Sequence, residues 1–344
     1  MTDVKAVMDA RAGDAVAKKR REATLRNGGL AIGFVVLVFA VNALTHGAFL
    51  TAGNLTNVLR QITVNAIMAV GQTFVIITAG IDLSVGSIVG LGGVVAALTA
   101  NALHLPAPLA FVVTLLAALA VGSAAGWINA LPVVKLGLPP FITTLAMMQV
   151  ARGLAYILAH GQPIPLNDSD PFTWLGTGTF FSVPGFTGIP YQVVVMLIVV
   201  FAFALLLGRT VFGRYVLALG GNEEAARLAG VNTSRMKTLV YVISGGLSAL
   251  AGLVLMSRFA SGGPQTGTGY ELQAIAAVVV GGTSLMGGRG TIVGTFFGAL
   301  LIGVLNNVMN LLNIESYTQM IVLGIVILLA LVLDALRKRW VASH

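Results

Sequence analysis

Apolar stretches about as long as a bilayer is thick recur from residue 28 almost to the end of the chain, and nothing else constrains its fold as strongly. A hydrocarbon core of ~30 Å takes roughly 20 apolar residues to cross as a helix. Charged residues make up 9% of the chain, hydrophobic residues 57%, and the mean hydropathy is +0.93. Soluble domains carry roughly a quarter charged residues, so this chain has too little charge to coat a water-facing surface. A soluble protein with buried helices would surround them with amphipathic ones, and almost none are readable. The fold class is therefore all-α, a polytopic transmembrane helical bundle.

Ten spans account for the chain: 28–45, 62–79, 86–103, 109–131, 139–159, 191–207, 238–257, 272–286, 291–312 and 317–333. A stretch rich in Gly, Pro and Thr separates the fifth and sixth, and a polar segment, 208–237, separates the sixth and seventh. Residues 1–27 read as an N-terminal tail, 28–336 as the membrane domain and 337–344 as a C-terminal tail. The tail's basic run before an apolar segment invites a signal-peptide reading. However, 26 polar-leaning residues come first and no small-residue cleavage site follows, so the first span is read as retained.

The net charge of +8 is a common footprint of nucleic-acid binding, but the positions of the cations argue against it. Seven of the twenty Lys and Arg residues precede the first span. With the N-terminus inside, Lys135, Arg209, Arg214, Arg227, Arg235, Lys237, Arg289, Arg337, Lys338 and Arg339 also fall inside. Only Arg60 and Arg258 fall outside, and Arg152 lies within a span. That bias orients both termini toward the cytoplasm. No nucleic-acid partner is expected. With no cysteine, disulfides, thiolate metal sites and Cys nucleophiles are excluded together.

No GxxxxGK[ST] loop, HExxH or GxSxG occurs, and His46, His104, His160 and His344 are scattered at span ends. Gly281 to Gly290 is Gly-rich, yet it sits between two spans and reads as a tight turn. No catalytic and no metal-binding residue is assigned.

Two segments carry more information. In the first, Asn222 suits a helix N-cap, and Glu223 and Glu224 fall in the first turn, where the helix dipole favours anions. Ala225, Ala226, Arg227, Leu228 and Ala229 continue the helix, and Gly230 can end it in a left-handed cap. A short, doubly capped helix between long spans reads as a docking knob for a partner. In the second, Gly80, Asp82 and Ser84 break the apolar pattern between the second and third spans. An intramembrane acid is costly, by ~2.5–3.5 kcal/mol at mid-helix. Asp82 or Ser84 either caps the third span or serves a pathway or gate, and the same alternatives apply to Arg152 and Glu271. Polar residues within spans (Asn65, Gln72, Thr73, Thr143, Thr144, Gln149, Asn306 and Asn307) either line a hydrated path or bond neighbouring helices.

Several stretches resemble the ribose/xylose-type permeases of ATP-binding-cassette importers, within the branched-chain amino acid/sugar permease family. They are Val64 to Gly71 with Gly80-Ile81-Asp82-Leu83-Ser84, Gly213-Arg214-Tyr215 with Gly220-Gly221-Asn222-Glu223, Gly267-Thr268-Gly269-Tyr270-Glu271, Gly281 to Gly290, and Ser316-Tyr317-Thr318-Gln319. The resemblance covers nearly everything after residue 50. It implies a multi-pass permease of the bacterial inner membrane, a cytoplasmic ATPase partner holding ATP and magnesium, an external sugar-binding protein, a second permease subunit (a homodimer) and surrounding membrane lipid. No cofactor is then bound by this chain. It also implies that Gly221 through Gly230 seat in the ATPase and that a monosaccharide, a pentose such as ribose or xylose or a related sugar or polyol, crosses inward. The rival reading is a stand-alone secondary transporter or channel for a small polar solute.

Overall fold

The computed structural model describes residues 38–103, 105–166, 171–182 and 188–342, with side chains placed up to residue 332 except at 171. The chain divides at Asn54 into two units. In the first, residues 38–44 are helical, the Thr45 hydroxyl donates to the Val41 carbonyl at 2.9 Å, and the Asn54 amide donates to the Phe49 carbonyl at 2.9 Å. The first ten residues of the expected first span lie outside the described residues, as does the whole N-terminal tail.

The second unit is helical nearly throughout. Its long helices are α1 (Ala52–Ile77, begun in the first unit), α2 (Val85–Ala102), α3 (Ala107–Lys135) and α4 (Pro140–Leu158). After a short α5 (Pro171–Thr177) come α6 (Tyr191–Arg209), α7 (Val211–Gly221), α8 (Glu223–Leu228) and α9 (Thr233–Phe259). The chain ends through α10 (Tyr270–Val280), α11 (Ile292–Leu311) and α12 (Ser316–Ala342). Among the described residues, seven helices are long and apolar enough to cross a membrane: α1, α2, α3, α4, α6, α9 and α11. The backbone expected to leave the membrane at 337 continues α12 to Ala342.

Burial sorts these helices. Over the most apolar 18 residues, α1 is 89% buried, α9 78% and α2 67%, whereas α4 and α6 are each 28% buried. Small residues make the centre possible, because they let helix backbones approach closely. Gly122 of α3 and Gly245 of α9 face each other so closely that a Cβ on either would strike the other's carbonyl, and a Cβ on Gly71 of α1 would come within 2.9 Å of Ser244. The outward faces of α4 and α6 present Phe141, Ile142, Ile157, Ile198 and Phe201, the apolar surface that lipid or another subunit covers.

Two expectations are corrected. The eighth span is not a full helix: α10 has 11 residues, roughly 16 Å of rise, and 281–291 is turns and extended chain. Before it, Ser261–Gly262 forms β4, which pairs antiparallel with β1 (Ile164–Pro165), and 263–269 is turns and extended chain running along α2. Pro264 has no N–H to donate, and Gly267 and Gly269 sit at φ +78° and +80°, which interrupts any helix there. The apolar run from Leu272 to Met286 hid that interruption. The second correction concerns 208–237, which is not a plain polar segment. Thr210 caps α7 through its hydroxyl, which accepts from Gly213 N at 3.2 Å, and α7 buries Gly213, Val216 and Leu219. In the polar stretch after α4, β2 (Thr179–Phe180) pairs with β3 (Ile189–Pro190).

Candidate functional site

The 221–230 segment folds as a separate short helix. Asn222 works at two ends: its N–H closes α7 on the Ala218 carbonyl at 3.1 Å, and its side-chain oxygen accepts from Ala225 N at 2.9 Å to open α8. Gly230, at φ +86°, ends the segment, and Asn232 caps α9 by accepting from Arg235 N at 2.9 Å. Ala226 is buried. Gly221, Asn222, Glu223, Glu224, Ala225, Arg227, Leu228, Ala229 and Gly230 are exposed, Leu228 by 80%. Glu224 pairs with Arg227 at 2.7 Å, and that hydrogen bond, with the carboxylate's charge behind it, pushes Arg227 above its ordinary range. Glu223 reaches across to Lys237 of α9, also at 2.7 Å.

The break at 78–84 is the opposite kind of site. Asp82 is fully buried. One carboxylate oxygen accepts from the Ser84 N–H at 2.9 Å and the Ser84 hydroxyl at 2.5 Å, and the other accepts from the Ser244 hydroxyl of α9 at 2.9 Å. Asn129 of α3 donates to the Ser84 hydroxyl at 2.9 Å, and Thr144 of α4 donates to the Ile81 carbonyl at 3.0 Å. Gln72 of α1, its amide oriented by these partners, brackets the Asp82 peptide, donating to its carbonyl at 3.3 Å and accepting from its N–H at 3.2 Å. Four helices thus hold one non-helical linker. Ser84 precedes α2 but makes no side-chain cap bond, so the capping alternative for Ser84 is not what the structure shows. Gly80 is required by close approach, since a Cβ there would come within 2.6 Å of the Tyr241 hydroxyl.

The other expected path residues scatter. Thr143 is buried but bonds only back to the Pro140 carbonyl, and Asn65 is buried with its side-chain oxygen unpartnered. Asn307 is buried and Asn306 half-buried on α11. Thr73 bonds Thr295 of α11 at 2.7 Å, the helix-to-helix alternative. Gln149 is exposed on α4, away from the Asp82 linker.

Sequence reasoning missed Asn129, Tyr241, Ser244 and Lys237, which no local motif marks. The last three share α9, and Lys237 and Tyr241 line a cleft of about 480 Å³ with Thr78, Ala79, Glu223 and Pro139. The cleft joins the exposed helix to the end of α1. A third polar cluster surrounds Arg152, which donates to the carbonyls of Pro264 at 2.5 Å, Thr266 at 2.8 Å and Gly86 at 3.4 Å. Among the described residues no three His, Asp or Glu side chains gather where a metal ion could sit.

The molecule thus combines a bundle of apolar helices, a buried acidic linker and an exposed capped helix tied to α9. The chain belongs to the family described as branched-chain amino acid transport system / permease component, whose profile matches residues 54–331. It is 47% identical over 310 residues to the ribose import permease protein RbsC of Escherichia coli K12, covering 88% of this chain and 92% of that one. It is 44% identical over 307 residues to RbsC of Bacillus subtilis (88% and 91% covered) and 39% identical over 319 residues to the L-arabinose transport system permease protein AraH of E. coli K12 (90% and 91%). No solved structure matches it significantly. The family read from the motifs is borne out. The chain is a transport subunit rather than an enzyme, and a multi-pass protein of the bacterial plasma membrane.

Proposed function

We propose that two copies of this chain form the membrane channel of an ATP-binding-cassette importer that moves a monosaccharide, a pentose such as ribose, into the cytoplasm. An external binding protein delivers the sugar, and ATP with magnesium acts on a separate cytoplasmic ATPase. The exposed 221–230 segment docks in that ATPase. One observation carries this reading: α8 is exposed along almost its whole length, yet the Glu223–Lys237 pair ties it to α9, and α9 supplies the Ser244 hydroxyl that holds Asp82. A push on α8 therefore reaches the break between α1 and α2 through one rigid helix. The relatives named for ribose and L-arabinose support the substrate class. Net movement comes from the ATPase binding one conformation of this assembly better than the other.

The test is the double reversal Glu223→Lys with Arg227→Glu in a reconstituted importer. ATPase assembly and D-ribose uptake are expected to fall at least about tenfold, the factor that 1.4 kcal/mol of lost interface energy gives, while the isolated permease keeps its melting temperature. Unchanged assembly and uptake would refute the docking assignment.

A further inference from the structure

We infer that Gln149, Arg152 and Tyr156 of α4, with Glu271 at the start of α10, form the point inside the membrane where the permease itself hydrogen-bonds the sugar. The inference rests on the sugar reading above.

Arg152 lies beyond the midpoint of α4, beside the unwound 263–269 segment. Backbone without a helix ladder is tolerated at membrane depth only where protein buries it or water reaches it. Arg152 satisfies two of its carbonyls, those of Pro264 and Thr266. A guanidinium has five N–H donors, and the third contact, to Gly86, is long at 3.4 Å. Donors therefore remain on a side chain that is only half-buried.

Glu271 approaches Gly86 as well, so closely that a Cβ on Gly86 would strike its carboxylate. Yet the ion pairs among the described residues are Glu223–Lys237 and Glu224–Arg227, and neither Arg152 nor Glu271 is in one. A closed pair would satisfy itself. Two opposite charges flank Gly86 without closing, and the Glu271 carboxylate, which accepts from the N–H groups of Gly269 and of Glu271 itself, keeps further lone pairs. A donor on one side and an acceptor on the other is the chemistry a sugar hydroxyl answers on both counts. Gln149 and Tyr156 stand three residues before and four after Arg152, on the same face of α4. Gln149 is exposed there among Phe141, Leu145 and Ile157. A polar stripe on an outward helix cannot face lipid without penalty, so this part of the face is turned to the second permease copy, and the path runs between the two.

The experiment uses the complete importer in proteoliposomes at saturating binding protein and reads D-ribose or L-arabinose delivered per ATP hydrolysed. Glu271→Gln and Gln149→Ala are each expected to lower that ratio by about tenfold, the factor that losing one hydrogen bond of about 1.4 kcal/mol gives. Phe201→Ala, on the exposed face of α6, stays within about twofold. Arg152→Lys is expected to recover part of what Arg152→Ala loses. If Arg152 only props up the 264–266 carbonyls, Gln149→Ala and Glu271→Gln match the wild type and the inference falls. Should Glu271→Gln fail to assemble, Gln149→Ala decides, because its side chain is exposed. A wild-type importer that hydrolyses ATP but moves neither sugar overturns the substrate reading and this inference with it.

Discussion

Two acid-bearing breaks in this chain are built by opposite rules. At 222–230 the acids are exposed, and each meets a cation: Glu223 meets Lys237 and Glu224 meets Arg227. The helix there is closed by its own neighbours, Asn222 at one end and Gly230 at the other. At 78–84 the acid is sealed from solvent and, among the described residues, meets no cation. Its carboxylate is held by two hydroxyls and a backbone N–H, and its peptide by Gln72. Water completes an exposed break cheaply. A buried break must be completed inside the protein, here by its own Ser84 and by side chains of four helices, since an unpaired buried group costs about 1–3 kcal/mol. The first can be read from a dozen consecutive residues, and the second only from four helices at once.

Asp82→Ala should therefore have the largest effect of any single change. It would leave the Ser84 and Ser244 hydroxyls and the Ser84 N–H without their acceptor, about 1–3 kcal/mol for each group left buried and unpaired. The expected result is loss of folded permease, read as yield and melting temperature in detergent. Asp82→Asn separates shape from charge, because an amide can accept from Ser84 and donate to Ser244. If it folds and transports, hydrogen bonding is all the site requires. If it folds but uptake stops, the negative charge belongs to the gating cycle. An Asp82→Ala protein that melts at the wild-type temperature would end the comparison.

Next in size is a pair of glycines, one at each kind of place. Gly122→Ala drives a methyl into the Gly245 carbonyl, where α3 and α9 cross, and overpacking of this sort costs about 1–3 kcal/mol. Gly221→Ala meets nothing within 4 Å and, as an exposed surface change, should shift stability by about 0.5 kcal/mol or less. Melting curves of the two proteins test the contrast directly, and equal shifts would mean that α3 and α9 do not touch as tightly as their glycines indicate.

How far the sequence reveals all this follows from the same distinction. The caps at Asn222, Gly230 and Asn232 are local chemistry and were legible, as were the long spans, whose apolar length is their signal. The buried linker was legible only as a break: Gly80, Asp82 and Ser84 stood out, but Asn129 and Ser244 lie 45 and 162 residues from the groups they bond. No period connects them. Thr144 and Gln72 belonged to the candidate set and do reach the Asp82 linker, whereas Gln149, chosen on the same grounds, lies on the exposed face of α4, because polarity within a span does not say which face it occupies. The interruption before α10 was signalled by Gly262-Gly263-Pro264 and the two glycines after them, and the apolar run beyond masked it. The α7 helix was concealed because its apolar residues, Val211, Phe212, Val216 and Leu219, sit in a segment read by its charges.

The smallest effects separate the two exposed ion pairs from each other. Glu224–Arg227 lies within one helix, with both side chains more than 60% exposed, while Lys237 is only 21% exposed and joins two helices. Exposed pairs of the first kind contribute little, so Glu224→Gln should leave uptake within about twofold of the wild type. Lys237→Met removes the tie between α8 and α9 but keeps the apolar stem against the cleft. With ATPase binding intact, uptake is expected to fall about threefold, a modest loss because the peptide connection through Gly230, Val231 and Asn232 still links the two helices. Measured together in the reconstituted importer, the two variants ask whether motion passes through the side-chain tie. Equal uptake in both would mean that the short peptide link alone carries it, and that Glu223 serves only the docked partner.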